Sequence, residues 1–190
     1  MSAHPVSYAC WHRHVNAINP PRELRRWLTL KTSLTVRLRA HCRQFRVHLL
    51  QQRPGVGRLD EFRLLSLPQR CCVQRREVLL CCDEQPVVLA YTVVPSRSTQ
   101  SDWPGFHSLG ETSLGEILFG DPLVERGERQ FARLPPTHPL LQGANANFLR
   151  STTEYLLYSR RCLFRRKNGL MLVTEVFLPS IMTLPTLADR

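Results

Sequence analysis

An Asn-Gly pair near the C-terminus limits the possible folds of this chain more than any other feature. Asn168-Gly169 separates a strand-like segment, residues 155–166, from a second one, residues 170–178. Asn-Gly between two such segments is the strongest short-range signal of a β-hairpin, because its tight turn needs residues that accept positive φ. We therefore expect the two strands to lie antiparallel and to form part of an antiparallel sheet.

Four more segments have the apolar patterns of strands. They are residues 44–51, 74–82, 87–94 and 123–133. The second and third of these predict another hairpin, joined by a longer turn over Asp83-Glu84-Gln85-Pro86. Pro54-Gly55-Val56-Gly57 is expected to end the first strand, because proline lacks a ladder donor, and a long loop is expected from there to Pro68.

Three short helices are predicted from the residues at their starts. Pro20-Pro21 indicates the first helix, because proline is tolerated in the first turn. Thr32-Ser33 can cap the second helix, and Thr112 can cap the third. Hairpins combined with a few helices predict an α+β fold, in which helices cover an antiparallel sheet.

The length of the chain fits one domain, residues 1–190, with an irregular lead-in at 1–19 and a tail at 180–190. Its hydrophobic fraction of 43% and charged fraction of 22% are typical of globular proteins. No apolar run approaches the roughly 18 to 20 residues needed to cross a bilayer, and the N-terminus lacks the pattern of a signal peptide. These features predict a cytoplasmic protein without stable membrane insertion, and we expect it to be a monomer.

The net charge is +11, and among the 26 basic residues only Lys31 and Lys167 are lysines. Such a charge is compatible with nucleic-acid binding, with an anionic membrane surface or with an enzyme that has acidic substrates. The arginines are scattered in ones and twos, without a block of like charges. This dispersal favours a solvated basic surface over a nucleic-acid groove, and we expect no nucleic-acid partner.

Several common chemistries have no sequence support. The seven cysteines include no Cys-x-x-Cys pair, and the seven histidines include no pair with the helical spacing of a zinc site. Neither a Gly-x-Ser-x-Gly elbow nor a glycine-rich phosphate loop is present. We therefore predict reduced, packing thiols, no metal site and no cofactor.

Two charged residues occur on strand faces that are predominantly apolar. Glu175 lies in the middle of residues 170–178, where both faces are apolar. A carboxylate there must be paired, hydrogen-bonded or protonated, so it is either a structural ion-pair partner, a residue at the sheet margin or a functional group. Arg76 shares a predicted face with Val78 and Leu80, and it is either a surface residue or a group that binds a carboxylate.

Three segments are informative because of their order and spacing along the chain. The first is Arg76-Glu77-Val78-Leu79-Leu80-Cys81, followed across the turn by Thr92-Val93-Val94-Pro95. The second is Leu109-Gly110-Glu111-Thr112-Ser113-Leu114-Gly115-Glu116-Ile117-Leu118-Phe119. The third is Thr174-Glu175-Val176-Phe177-Leu178-Pro179, and Ser33-Leu34-Thr35 is a weaker match. Together these segments resemble the chorismate pyruvate-lyase family, and the resemblance spans residues 22–180, with insertions expected between 124 and 155.

The resemblance implies an α+β domain whose ligand cavity is closed by helical flaps. It also implies an enzyme that converts chorismate to 4-hydroxybenzoate and pyruvate, the first committed step of ubiquinone-ring synthesis. The family's ligand arginine falls on Arg76 and its acidic residue on Glu175, which makes these two the predicted catalytic residues. The further substrate contacts fall on Leu34 and Leu114, as apolar or main-chain contacts.

One position departs from the family pattern. Similar proteins usually have an arginine just before the Thr-Val-Val-Pro string, where this chain has Tyr91. If that arginine binds substrate, Tyr91 replaces its charge with one phenolic hydrogen bond. A second hypothesis is a non-catalytic domain of the same fold, since effector domains of certain transcription regulators resemble this lyase and bind small acids.

Overall fold

The centre of the molecule is a six-stranded antiparallel sheet, as the hairpin signals predict. A computed structural model of the chain describes residues 9–68, 70–142 and 156–185. The strands are β1 (Phe45–Val56), β2 (Cys72–Cys82), β3 (Gln85–Pro95), β4 (Val124–Leu134), β5 (Leu157–Arg166) and β6 (Gly169–Phe177). Their order across the sheet is β1-β2-β3-β6-β5-β4. The C-terminal hairpin therefore lies beside β3 and joins the two halves of the sheet.

Both predicted hairpins are present, but their turns differ from expectation. The β2–β3 turn is only Asp83 and Glu84, with φ of 49° and 67°. The longer turn predicted through Pro86 was wrong, because two residues with positive φ close this hairpin in the geometry that matches strand twist. The β5–β6 turn consists of Lys167 and Asn168, so Gly169 is the first residue of β6.

Within the described part of the chain, five short α-helices cover the sheet. They are α1 (Arg22–Leu28), α2 (Leu34–Arg39), α3 (Leu59–Leu64), α4 (Ser98–Ser101) and α5 (Leu114–Gly120). As predicted, α1 begins after Pro21, and Ser33 caps α2 by accepting a hydrogen bond from the Val36 amide at 3.5 Å. The predicted cap of the third helix was wrong by one residue, because Ser113 and not Thr112 precedes α5.

The expectation that β1 ends at Pro54 was also wrong. Pro54 pairs with Gln74 and the strand continues to Val56. Because β1 is an edge strand with one neighbour, a missing amide proton on its outer side costs no ladder hydrogen bond. The predicted long loop to Pro68 contains α3, whose capping residue Arg58 donates its backbone amide to Glu61 at 2.6 Å.

The sheet is covered on both faces, so successive side chains of a strand pack alternately into the cores on its two sides. On β6, Leu172 and Val176 pack into one core, while Val173 and Phe177 face the other side. This confirms the prediction that β6 is apolar on both sides. We call the side of Val173 the cavity face, because α1, α2 and α5 lie over it and leave a cavity beneath them.

The ends of the chain are less regular than the sheet. Within the predicted lead-in, His12 forms an isolated bridge with Phe131, and Val15–Ile18 is a short 3-10 helix. A second 3-10 helix, Phe106–Ser108, precedes α5, and a third, Pro179–Thr183, follows β6. Residues 1–8 of the predicted lead-in, residues 143–155 of the region with expected insertions and residues 186–190 of the predicted tail lie outside the described residues. No helix of the described segments is long and apolar enough to span a bilayer.

Candidate active site beneath the covering helices

A cavity lies between the sheet and the two helices α2 and α5. Its lining comprises Thr32, Leu34, Thr35, Val47, Arg76, Val78, Leu80, Ala90, Thr92, Ser113, Leu114, Gly115, Leu118, Phe119, Arg126, Arg160, Cys162, Phe164, Val173 and Glu175. The volume open to the centres of water molecules is about 60 Å³. One water needs roughly 10–15 Å³ by the same measure, so the cavity has room for a small organic molecule.

Three rows of side chains cross the cavity floor, because residues paired across antiparallel strands point to the same face. The middle row is Arg76, Thr92, Val173 and Cys162. The second row is Val78, Ala90, Glu175 and Arg160. The third row includes Phe164 and Arg126. Charged groups thus occur at both ends and in the middle of a floor that is otherwise mostly apolar.

Arg76 is a buried cation at one end of the floor. It is 2% exposed, and its Nη2 donates to the carbonyls of Gly110 and Thr112, each at 2.8 Å. Burial lowers its pKa to about 10, so the guanidinium keeps its charge at neutral pH. It forms no salt bridge with any described carboxylate, and its Nε has no hydrogen-bond partner among the described residues. The site therefore has a desolvated positive charge with donors available for an anion.

Glu175 lies in the same cavity and is paired with Arg160, which sequence reasoning did not identify. The Nε of Arg160 donates to Glu175 Oε2 from the opposite position on β5. Arg160 is 3% exposed, and its Nη1 also donates to the carbonyls of Trp27 and Leu28 at 2.9 and 3.2 Å. The ion-pair interpretation of Glu175 is therefore correct, and the carboxylate still contributes to the cavity wall.

The two predicted apolar contacts lie on the covering helices. Leu34 is on α2 and Leu114 is the first residue of α5, and both line the cavity. The helices meet where Thr35 Oγ1 and Ser113 Oγ share a hydrogen bond of 2.7 Å. A Cβ on Gly115 would approach Thr35 Oγ1 to 2.9 Å, so glycine permits this close contact. All four predicted site residues therefore surround one cavity.

Tyr91 does not face this cavity, so the prediction of a phenolic substitute for a ligand-binding arginine was wrong. Its neighbours Ala90 and Thr92 line the cavity, and strand alternation turns Tyr91 to the opposite core. There the guanidinium of Arg58 lies 4.3 Å from the centre of its ring. Burial raises the pKa of the Tyr91 phenol well above its usual value.

Sequence reasoning also missed Arg126 and Cys162, which line the same cavity. Burial raises the pKa of the Cys162 thiol, whose Sγ donates to the carbonyl of Gly127 at 3.3 Å. Alternation along β5 could have placed Arg160 and Cys162 on one face, but the pairing of β5 with β6 was needed to choose that face. Among residues 9–68, 70–142 and 156–185, no three His, Cys, Asp or Glu side chains are grouped as metal ligands.

Solved structures with a similar fold include two regulator domains. The effector domain of PhnF from Mycobacterium smegmatis matches with a TM-score of 0.53 and 14% identity, over 72% of this chain and 82% of that one. A GntR-family transcriptional regulator from Bacillus cereus matches with a TM-score of 0.55 and 11% identity, over 72% and 92% of the two chains. These likenesses confirm the α+β fold with its antiparallel sheet.

Sequence comparison identifies much nearer relatives. A protein named "Probable chorismate pyruvate-lyase" from Cupriavidus metallidurans is 46% identical over 92% of this chain and 82% of its own length. One of the same name from Cupriavidus pinatubonensis is 45% identical over 98% and 96% of the two chains. Residues 6–185 also match the sequence profile described as "Chorismate lyase". With most of its length covered by both comparisons, the chain belongs to the chorismate lyase family.

Proposed function

We propose that this protein is a chorismate pyruvate-lyase, which eliminates pyruvate from chorismate and leaves 4-hydroxybenzoate. The observation that supports it most strongly is the buried Arg76 guanidinium, which faces an apolar cavity without a carboxylate partner among the described residues. Such a group is suited to a planar carboxylate, since a guanidinium offers two parallel donors. The relatives' names point to the same substrate.

In this proposal Arg76 binds the ring carboxylate of chorismate, and Glu175 accepts a hydrogen bond from the ring hydroxyl. Leu34 and Leu114 pack against the ring from the covering helices. The hydroxyl becomes more acidic as the ring becomes a phenol, so its hydrogen bond to a carboxylate strengthens along the reaction. Glu175 and Arg76 therefore act on the reacting molecule at two separate positions.

The reaction balances without an added reagent. The bond between ring carbon C3 and the ether oxygen breaks, and its electron pair leaves with the enolpyruvate. The hydrogen at C4 is lost as a proton, which makes the ring aromatic, and the methylene carbon of the enolpyruvate gains a proton to give pyruvate. Because aromatisation supplies the driving force, the protein needs to exclude water, hold the geometry and stabilise the developing negative charge. We propose that no metal or organic cofactor takes part.

The proposal also includes a cytoplasmic monomer at the first committed step of ubiquinone-ring synthesis. The net charge of +11 suits a dianionic substrate, because it raises the local concentration of anions around the protein. The basic side chains of the cavity then select the substrate by its two carboxylates.

Purified protein incubated with chorismate tests the function directly. Equal amounts of pyruvate and 4-hydroxybenzoate, unchanged by a chelator, are expected when the products are separated and quantified. Binding of 4-hydroxybenzoate without turnover would instead identify a non-catalytic domain for small acids. Activity that disappears with the chelator and returns with a metal would contradict the cofactor-free mechanism.

A further inference from the structure

A second arginine that forms no salt bridge with the described residues lies on the far side of the cavity from Arg76. Arg126 is on β4, and the strand order places β3, β6 and β5 between it and Arg76 on β2. Four interstrand steps separate their backbones by about 19 Å along the sheet. Both side chains nonetheless line the same cavity. Helix α5 runs from the Arg76 side of the cavity to the Arg126 side. Arg76 donates to two carbonyls just before α5, and the guanidinium carbon of Arg126 lies 5.3 Å from the centre of the Phe119 ring, near the end of α5.

The contacts of Arg126 leave donors available. Its Nη1 donates to the carbonyl of Lys31 at 2.8 Å, and its guanidinium carbon lies 5.9 Å from the centre of the Phe164 ring. Its Nε is buried and has no hydrogen-bond partner among the described residues. The rings of Phe119 and Phe164 help to orient the Arg126 guanidinium, since guanidinium groups pack favourably on aromatic faces.

The three arginines of the cavity differ in their partners. Arg160 is neutralised by Glu175, whereas neither Arg76 nor Arg126 forms a salt bridge within the described part of the chain. Two uncompensated cations at opposite ends of one cavity match a ligand with two carboxylates. The aromatic product, 4-hydroxybenzoate, has one carboxylate, so only one of these arginines is needed to hold it.

We propose that Arg126 binds the carboxylate of the enolpyruvyl group and so selects dianionic substrate over monoanionic product. This inference rests on the proposed lyase function. As the C3–oxygen bond breaks, negative charge develops on the enolpyruvate oxygen close to this carboxylate, and a fixed cation there stabilises that charge. Arg126 thus favours the substrate and the transition state. Arg76 holds the ring carboxylate throughout the reaction.

The test compares two substitutions on β4. Arg126→Gln removes the charge from the cavity, and Arg129→Gln is the matched control. Arg129 also donates to the loop between α1 and α2, at the carbonyl of Leu30, but it does not line the cavity. The measurements are kcat and KM with chorismate, and calorimetric binding of 4-hydroxybenzoate.

For Arg126→Gln we expect kcat/KM for chorismate to fall about 10- to 150-fold, the effect of a lost charge-assisted hydrogen bond. Binding of 4-hydroxybenzoate should stay within about fivefold of wild type, and Arg129→Gln should stay within about fivefold for both ligands. Equal losses of chorismate turnover and 4-hydroxybenzoate binding in Arg126→Gln would overturn the inference. So would unchanged kinetics, or the same losses in Arg129→Gln, which would show that only the loop contact matters.

Arg126→Lys tests whether a loss of activity in Arg126→Gln comes only from a folding defect. It keeps the charge and the stem beside Phe119 and Phe164, so it should fold and should lose less activity than Arg126→Gln, because an ammonium offers no planar pair of donors. Activity lower than that of Arg126→Gln would contradict the assignment. Absence of both products with wild-type protein would instead refute the lyase function itself, so the two failures are distinguishable.

Discussion

Glu175 on β6 and Arg160 on β5 lie directly opposite each other and form an ion pair in the cavity floor. The same guanidinium donates to the carbonyls of Trp27 and Leu28, where α1 ends. The guanidinium of Arg160 therefore binds both the cavity-lining carboxylate and the end of a covering helix. The Glu175–Arg160 ion pair therefore links a residue of the proposed chemistry to contacts that stabilise the fold.

Arg160→Met should destabilise the protein strongly. Removing the cation leaves Glu175 without its partner and two helix-end carbonyls without a donor, and such a loss costs about 3–5 kcal/mol. Urea unfolding measures the change in the free energy of unfolding. Arg13→Met is the control, since Arg13 and Glu128 form an exposed pair at 3.8 Å, and little change is expected. A loss below about 1 kcal/mol in Arg160→Met would contradict the importance of the buried pair.

Glu175→Gln and Glu175→Ala separate the ion-pair role of Glu175 from the catalytic role that we propose for it. Both variants leave Arg160 without a carboxylate, so both should melt at a lower temperature than wild type. Gln keeps an oxygen that accepts a hydrogen bond from the ring hydroxyl, whereas Ala keeps none. At a temperature where both are folded, pyruvate release should therefore be much slower in Glu175→Ala than in Glu175→Gln. Full activity in Glu175→Ala would remove the residue from the mechanism.

The predictions that held are those that depend on neighbours in sequence. Alternation alone placed Arg76 beside Val78, and the Asn168-Gly169 signal gave the C-terminal hairpin to within one residue. The faces of single strands follow from a two-residue period, so they can be assigned without knowing the sheet. The position of Glu175 in the middle of an apolar strand likewise indicated either an ion-pair partner or a functional role, and the structure shows Arg160 as the partner.

The features that sequence reasoning missed depend on contacts between distant segments. Arg126 and Arg160 enter the cavity only because β6 pairs with both β3 and β5, an order that no local pattern specifies. Tyr91 was considered as a substrate-binding group because only its position in the family pattern was used, without strand alternation. Pro54 remained within β1 because that strand is at the edge, which is a property of the whole sheet.

A buried histidine should make stability depend on pH. His138 is 5% exposed, and its Nδ1 accepts the Leu140 amide at 3.2 Å. Burial lowers the pKa of His138 from 6.5 to about 4, with Arg58 and Arg161 adding to the shift and Asp60 opposing it. Between these two pKa values the unfolded chain binds a proton at His138 that the folded protein does not. The contribution of His138 to the free energy of unfolding is therefore complete above about pH 6.5 and decreases as the pH falls towards about 4.

His138→Gln removes that titration. The melting temperature of wild type should fall between about pH 7 and pH 5, and that of the variant should fall less. Circular dichroism at both pH values measures the difference. Identical pH dependence in the two proteins would show that His138 is not the group that titrates.

Binding of 4-hydroxybenzoate to Arg76→Gln tests most directly whether the buried guanidinium is the carboxylate anchor. Arg75→Gln is the matched control, because Arg75 is the preceding residue on β2, carries the same charge and does not line the cavity. By calorimetry, Arg76→Gln should weaken binding by about 2–5 kcal/mol, the cost of truncating one partner of a buried charge pair. Arg75→Gln should bind like wild type. Unchanged affinity in folded Arg76→Gln, or equal losses in both variants, would contradict the assignment of this cavity as the substrate site.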